Sequence, residues 1–347
     1  MIGQGDPPSP FIARQIQALQ HLSVEVIILP RIAKHRFLSA LLLNLGITFH
    51  LPAEIKSAVK NADLIHYQWP SHWILLNQLA SQYHKPSILS LRGRQINILP
   101  YIRGQEKYTR KLRKLLPQCD AYHCVSQAIL NEAKNFGLKE GKAFIIRPAV
   151  DPAFFTPQGT IQSSPPLKIV MVGALMWRKG YDHALLGFKQ ALMNNLDLEL
   201  NIIGDGPDVN RISYMIQELD LKNKVHLLGK KTPEEVRDIY QLSHVLLHTS
   251  LSEGIANVIL EAMSCGLAVI STSAGGINEV IHDRENGLLI PSRDSGAVAE
   301  KIKLLYENPA LRLELGKSAR LSVITEHTLS RQAEKFVDMY KKVLGQN

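Results

Sequence analysis

The sequence predicts an α/β protein of two similar parallel-sheet domains, and three observations carry that expectation. At 347 residues the chain exceeds one ordinary core and suits two domains of roughly 150 residues each. Short β-branched runs alternate with helical patterns through most of its length, the signature of parallel sheets covered on both faces. Near the middle, Arg147-Pro148-Ala149-Val150-Asp151-Pro152 is followed by a Pro-, Ser- and Gln-rich stretch from Thr156 to Pro166, which reads as a linker. Apolar content of 45% and charged content of 20% are those of an ordinary globular protein.

Taken in order, the first half opens with a glycine-containing loop, Met1 to Pro10, and then a helix from Phe11 to Leu22 with Phe11, Ile12, Ile16 and Leu19 at helical spacing. Strands are expected at Val24–Leu29, Leu64–Tyr67, Ser87–Leu91, Ala121–Val125 and Phe144–Ile146. The second half alternates more regularly. Strands are expected at Leu167–Val172, Leu198–Ile203, Lys224–Leu228, His244–His248, Leu267–Ser271 and Gly287–Ile290, with helices such as Asp182–Met193 and Val209–Leu219 between them. Thr232 caps another helix, with Pro233 at its first position and Glu235 three residues past the cap. Ligands of such sheets bind at the carboxyl ends of the strands, and two domains of this kind place a cleft between them.

Charge is distributed unevenly. The net charge is +9, yet residues 1–165 carry 19 Lys and Arg against 9 Asp and Glu, whereas residues 166–347 carry 21 against 22. A basic cluster runs Arg103, Lys107, Arg110, Lys111, Arg113, Lys114. It is read either as a solvated helix face or as a surface attracted to an anionic membrane or acceptor. Nucleic acid is disfavoured, because no interleaved aromatic pattern accompanies the charge. Cys119, Cys124 and Cys265 form no metal-like pairs, which fits a reduced, cytoplasmic setting. The pattern of a secretory leader is not seen, and the apolar stretch around Leu38 to Leu45 is too short to span a bilayer.

The sharpest chemical signal is Glu253-Gly254-Ile255-Ala256-Asn257-Val258-Ile259-Leu260-Glu261, which follows a strand and opens a helix. Gly254 is expected to permit a tight turn. The amides of Ile255, Ala256 and Asn257 lie at a helix N-terminus, where unpaired N–H groups favour phosphate. Glu261, one turn into the helix, can reach a sugar diol. A capped generic loop is the bland alternative. A second signal, Gly173-Ala174-Leu175-Met176-Trp177-Arg178-Lys179-Gly180, places two cations at the end of another strand. A third, Gly204-Asp205-Gly206-Pro207, is by itself no more than a turn.

Together these residues resemble the retaining glycosyltransferases of family 4, which have the GT-B fold of two Rossmann-like domains facing a central cleft. Gly173, Lys179-Gly180, Gly204-Asp205-Gly206-Pro207, Glu253 through Gly266 and Asn286-Gly287-Leu288 match the family pattern. The resemblance implies an acceptor-side domain over residues 1–152, joined by a C-terminal crossover helix over 328–347, and a donor domain over 153–327. It also implies that this N-terminal domain lacks its first strand, either because the chain begins further upstream or because another segment fills the gap. The implied activity is metal-independent, hexosyltransferase-like transfer from a nucleotide-diphosphate sugar to a saccharide or lipid-linked acceptor, with retention, in cell-surface polysaccharide or glycolipid synthesis. No cofactor is implied, and the expected location is the cytoplasm or the inner membrane face. Carried over, Glu253 contacts the donor sugar, Glu261 holds the ribose and Lys179 the diphosphate, with Arg178 as a supporting cation. Gly173, Gly204, Leu228, Gly229, Lys230 and Gly254 complete the donor side, and Gly5, His66 and Arg92 are acceptor-side candidates.

Two positions depart from the family pattern. Ala174 stands where an arginine is usual, and Arg92 stands where many relatives carry a histidine. A non-catalytic nucleotide-sugar-binding or scaffold protein on the same fold is therefore the rival expectation. A nicotinamide-dependent oxidoreductase is disfavoured by the lack of G-x-G-x-x-G between a strand and a helix.

Overall fold

Every strand pair formed between the described residues is parallel, so each strand edge must be reached by a crossover, and helices fill those crossovers. The computed structural model describes residues 10–28, 53–70, 80–159 and 165–346. The chain divides into two units, Met1–Arg147 with Leu329–Asn347, and Pro148–Thr328.

The first unit carries helices α1 (Pro10–His21) and α2 (Ala53–Asn61), then strands β1 (Ile65–Tyr67) and β2 (Ser87–Leu91). Helix α3 (Glu106–Leu115), β3 (Ala121–Cys124), α4 (Gln127–Lys134) and β4 (Ala143–Ile145) follow, and the sheet order is β1-β2-β3-β4. Both sheet faces are buried: Tyr67, Leu89, Leu91 and Tyr122 pack on one cluster, and Ile88 and Ala121 on the other. The C-terminal helix, Leu329–Val343, supplies Ala333, Phe336 and Met339 to that second cluster beside Leu19 of α1. Helix α4 starts where Ser126 Oγ accepts the Ile129 N–H at 3.1 Å, an N-cap that breaks the preceding strand.

One expectation fails here. Val24 to Ile28 forms no strand, and Leu29 lies outside the described residues. A cavity of about 630 Å3 lies between residues 24–27 and residues 63–66, bordered by α1, α2 and the C-terminal helix. A strand requires its backbone to bond a neighbouring strand in register, and this cavity separates residues 24–27 from β1.

A buried polar chain crosses the sheet. His66 Nδ1 meets the Tyr340 hydroxyl at 2.9 Å, His66 Nε2 meets Ser90 Oγ at 2.8 Å, and Ser90 Oγ meets His123 Nδ1 at 2.7 Å. His123 Nε2 ends the chain on the Ile146 carbonyl at 2.9 Å, which fixes that nitrogen as the donor. Both imidazoles are held neutral: burial lowers them, the neighbouring histidine and Arg92 lower His66 further, and His123 is pushed down to about 3.

The second unit runs β5 (Leu167–Val172), α5 (Tyr181–Leu192), β6 (Leu198–Ile203), α6 (Val209–Glu218), β7 (Val225–Gly229) and α7 (Pro233–Gln241). It continues with β8 (Val245–His248), α8 (Asn257–Ser264), β9 (Ala268–Thr272), β10 (Leu288–Ile290), α9 (Ser295–Glu307) and α10 (Pro309–Glu326). The order is β10-β9-β8-β5-β6-β7, so the chain reverses its direction of sheet growth between β5 and β8. The expected strands are present within a residue or so at each end, as is the capping box at Thr232 and Glu235. Val150 pairs with Thr328, its N–H donating to the His327 carbonyl at 2.9 Å, which ties the entry of this unit to its exit. Among the described residues, no helix is long and apolar enough to cross a membrane.

The histidine chain makes stability acid-sensitive. Both folded-state values are depressed, so the unfolded chain takes up protons that the fold refuses. Stability is therefore undiminished above about pH 6.5 and falls as pH drops toward 3, by about 1.4 kcal/mol per pH unit for each suppressed proton. Urea unfolding between pH 7.5 and 5 is expected to show this slope below pH 6.5; a flat profile contradicts it.

Candidate active site

The point where a parallel sheet reverses direction leaves two adjacent strand ends with loops diverging to opposite faces, and that crevice accepts ligands. Here the two loops are those after β5 and β8. The β5 loop turns through a short 3-10 segment, Trp177–Lys179, and closes on Gly180 at φ +67 before α5 begins. A Cβ at Gly180 would stand 2.1 Å from the Thr249 carbonyl oxygen, so only glycine lets the two loops meet. Thr249 Oγ1 donates to the carbonyls of Lys179 and Gly180 at 3.1 and 2.9 Å, and the Leu251 N–H donates to the Arg178 carbonyl at 2.7 Å.

This stitching brings together the three side chains expected to do the chemistry. Lys179 Nζ forms a short ion pair with Glu253 Oε1, and Arg178 Nη1 lies 3.7 Å from the same oxygen. Arg178 Nη1 also donates to the Ser252 carbonyl at 3.4 Å. Glu253 is 8% exposed, and a lone carboxylate so buried would be costly. Burial does push its carboxyl up, but hydrogen bonding with His248 and the charge of Lys179 prevail and hold it well below the usual carboxylate range.

Behind Glu253 stands a polar layer that the sequence reading missed. Ser250 Oγ donates to Glu253 Oε1 at 2.9 Å and touches His248 Nε2 at 3.1 Å. His248 Nδ1 meets Ser271 Oγ at 3.1 Å, and Thr272 Oγ1 donates to the Ser250 carbonyl at 2.5 Å. Burial lowers His248. The residues come from β8, β9 and the loop after β8, and no sequence spacing links them. The only signal was an unusual polar end, His248-Thr249-Ser250, on an otherwise apolar strand.

The remaining candidates sort by element. Gly173, Gly204 and Gly229 stack at the ends of β5, β6 and β7, with the Gly173 N–H donating to the Ile203 carbonyl at 3.0 Å and the Gly204 N–H to the Gly229 carbonyl at 2.9 Å. Leu228 is half-buried, and Gly229 and Lys230 are exposed beside them. Helix α8 starts at Asn257 behind Ala256 with no side chain capping it. No side chain therefore caps the positive end expected of an anion site, next to Ile255 and Gly254. Glu261 is half-buried on α8, near enough to Tyr240 and Cys265 for its charge to add to the burial that raises both groups.

Gly254 is not among the glycines with positive φ, and a second close approach falls at Gly275, φ +62, where a Cβ would stand 2.0 Å from the Glu253 carbonyl oxygen. The loop after β9 packs against Glu253 there, with the Gly276 N–H donating to the Gly254 carbonyl at 2.9 Å, a contact that local sequence does not encode.

In the first unit, His66 is closed into the polar chain with both ring nitrogens engaged. Arg92 follows β2 and donates to Gln68 Oε1 at 2.5 Å and to Gln15 Oε1 at 3.2 Å. Gly5 lies outside the described residues. Among the described residues, no cluster of three His, Cys, Asp or Glu side chains could hold a metal ion.

The profile of Glycosyl transferases group 1 matches residues 157–322, and that of Glycosyltransferase Family 4 matches residues 4–154. An uncharacterized glycosyltransferase of Methanocaldococcus jannaschii is 30% identical, over 74% of this chain and 69% of its own length. The chain belongs to the family 4 glycosyltransferases. It is also 32% identical, over 58% of its length, to a component of the phosphatidylinositol N-acetylglucosaminyltransferase of Arabidopsis thaliana, of which it spans 46%. This glycosyltransferase spans about half the length of such curated relatives. Its fold is similar to that of HepE of Anabaena solved with UDP, at a TM-score of 0.80 and 16% identity over 98% of both chains. The fold is therefore GT-B, with two parallel-sheet Rossmann-like domains.

The Lys179–Glu253 pair lends itself to a thermodynamic cycle. Lys179→Ala leaves a buried carboxylate with weaker partners and is expected to destabilise the protein by about 3 kcal/mol. The double variant Lys179→Ala with Glu253→Ala is expected to recover part of that loss, because the orphaned charge is gone. Urea unfolding of the three variants checks this; strictly additive losses contradict the pairing.

Proposed function

We propose that this protein transfers a sugar, with retention at the anomeric carbon, from a nucleotide-diphosphate donor bound to the second unit onto an acceptor hydroxyl, in polysaccharide or glycolipid synthesis. The observation that carries the reading is the meeting of Lys179, Arg178 and Glu253 beside the uncapped start of α8, at the sheet's reversal point. As the donor bond breaks, negative charge builds on the distal phosphate. Lys179, Arg178 and the first amides of α8 are the preorganised groups that stabilise it. Glu253, held ionised, accepts hydrogen bonds from sugar hydroxyls while keeping Lys179 in place. Glu261 binds the ribose diol, and the glycine-edged ends of β5, β6 and β7, with Leu228 and Lys230, flank the base. The first unit holds the acceptor. HepE of the same fold is described with UDP and with UDP-glucose, which makes uridine nucleotides the first to test.

A thermal-shift screen of UDP, GDP and ADP is expected to stabilise the protein with one base preferred, by about 2.7 kcal/mol at 100 times the dissociation constant. With that donor, Lys179→Ala and Glu253→Gln are expected to lower turnover by about 10²–10³, and Glu261→Ala mainly to raise KM. Wild-type kinetics in all three would sink the assignment.

The reading extends to location, at the cytoplasmic face of a membrane. Arg103, Lys107, Arg110, Lys111, Arg113 and Lys114 are all exposed on and before α3, next to exposed Tyr101 and Ile102. The three cysteines are free and buried, as suits a reducing compartment. Vesicles of anionic lipid are expected to bind the protein at low salt and release it as salt rises, at about 1 kcal/mol per basic residue near the surface. Replacing Lys107, Lys111 and Lys114 by Gln is expected to weaken that binding and leave nucleotide affinity unchanged. No association at low salt overturns this part of the reading.

A further inference from the structure

The carboxyl ends of β1 and β2 carry a second cluster of charge, built unlike the first. Gln68 and Trp69 follow β1, Arg92 follows β2, and Phe11 and Gln15 stand four residues apart on one face of α1. The Arg92 guanidinium lies 5.2 Å from the centre of the Phe11 ring and 5.9 Å from that of Trp69, and the two rings meet edge to face at 6.3 Å. Gln68 is fully buried and Gln15 nearly so.

The chemistry of the groups is one-sided. A guanidinium only donates, so both glutamines must turn their oxygens to Arg92, and their amide nitrogens face elsewhere. Those nitrogens, Gln15 Nε2 and Gln68 Nε2, are buried without an acceptor, and so are Trp69 Nε1 and Arg92 Nε. Flipping either amide would set donor against donor. Four buried donors without an acceptor thus lie on Arg92 and three residues packed around it, and no carboxylate among the described residues pairs with that cation. The histidine chain in the same sheet shows what a purely structural polar cluster looks like: each ring nitrogen there has a partner, and the chain ends on a carbonyl. Buried donors left unmet in one place are costly and need an explanation.

A group that only accepts hydrogen bonds and carries negative charge is the chemical complement of these donors and of the cation they surround. We propose that Gln15, Gln68, Trp69 and Arg92 form a binding site for an anionic oxygen group, a carboxylate or a phosphate. Resting on the transferase reading above, that group belongs to the acceptor, so the acceptor is an anionic molecule. Arg92 forms charge-assisted hydrogen bonds to it, the two amides and the indole complete its shell, and the Phe11 and Trp69 rings hold the guanidinium in place.

The full chain is titrated with inorganic phosphate, with malonate and with chloride at matched ionic strength. The readout is the indole N–H resonance of Trp69, assigned by its loss in Trp69→Phe. Phosphate or malonate is expected to shift that resonance saturably where chloride does not, and the anion that does so identifies the class. Arg92→Gln is expected to weaken the response ten- to hundred-fold, with Arg92→Lys between the two, because lysine keeps the charge and loses the fork. Circular dichroism verifies that the variants fold. Phosphate at the Lys179 site is separated by repeating the titration in Lys179→Ala, where the Trp69 response is expected to persist. No shift with either anion, or an unchanged response in a folded Arg92→Gln, overturns the proposal and leaves water as the partner of the cluster. UDP binding, followed in parallel, keeps the two readings apart. UDP bound without an anion response sinks this inference alone; an anion response without any nucleotide binding sinks the transferase reading and leaves the anion site standing.

Discussion

The second unit is organised around one buried charge. Glu253 is nearly inaccessible to water yet ionised, and a buried carboxylate survives only where cations and hydrogen-bond donors compensate it. Lys179 and Arg178 supply the charge, and Ser250 donates to the same oxygen. Two loops must approach closely for this, and the approach is made by glycine at Gly180 and Gly275, where any side chain would strike a carbonyl oxygen. The sheet order, with β5 beside β8, is the larger frame that makes the loops neighbours. Charge compensation, glycine placement and strand order are thus three scales of one constraint.

That constraint has a functional side. On the function proposed above, a lysine held by a carboxylate is fixed in position before a phosphate arrives, so little reorganisation remains to be done at the moment of reaction. The first unit differs. Its histidine chain is fully paired and ties the C-terminal helix to the sheet, whereas Arg92 and its neighbours offer donors with nothing to receive them. One unit is internally balanced around an anion of its own; the other presents a surplus of donors.

The elements of the second unit were legible because its strands are buried on both faces and read as continuous β-branched runs. Its caps, at Thr232 and Glu235, are local in sequence. The first unit was less legible. Val24–Ile28 has strand composition, but composition gives only propensity, and the tertiary context decides whether a strand forms. Glu253, Lys179 and Arg178, which the structure brings together, could be singled out because each sits past a strand, where a motif is visible.

His248, Ser271 and Thr272 were not found, because their alliance with Glu253 runs across strands that sequence cannot align. By itself, then, the sequence determined the alternation of strand and helix, the charge asymmetry and the identity of the strand-end residues, all consequences of local pattern. The tertiary structure decided which strand ends are neighbours, that Gly275 packs against the Glu253 carbonyl, that His66 is consumed by Tyr340 and Ser90, and that Arg92 and its neighbours carry donors without an acceptor. Those outcomes depend on contacts between residues far apart in the chain, and such contacts are fixed only when the sheets are assembled and their cores are packed.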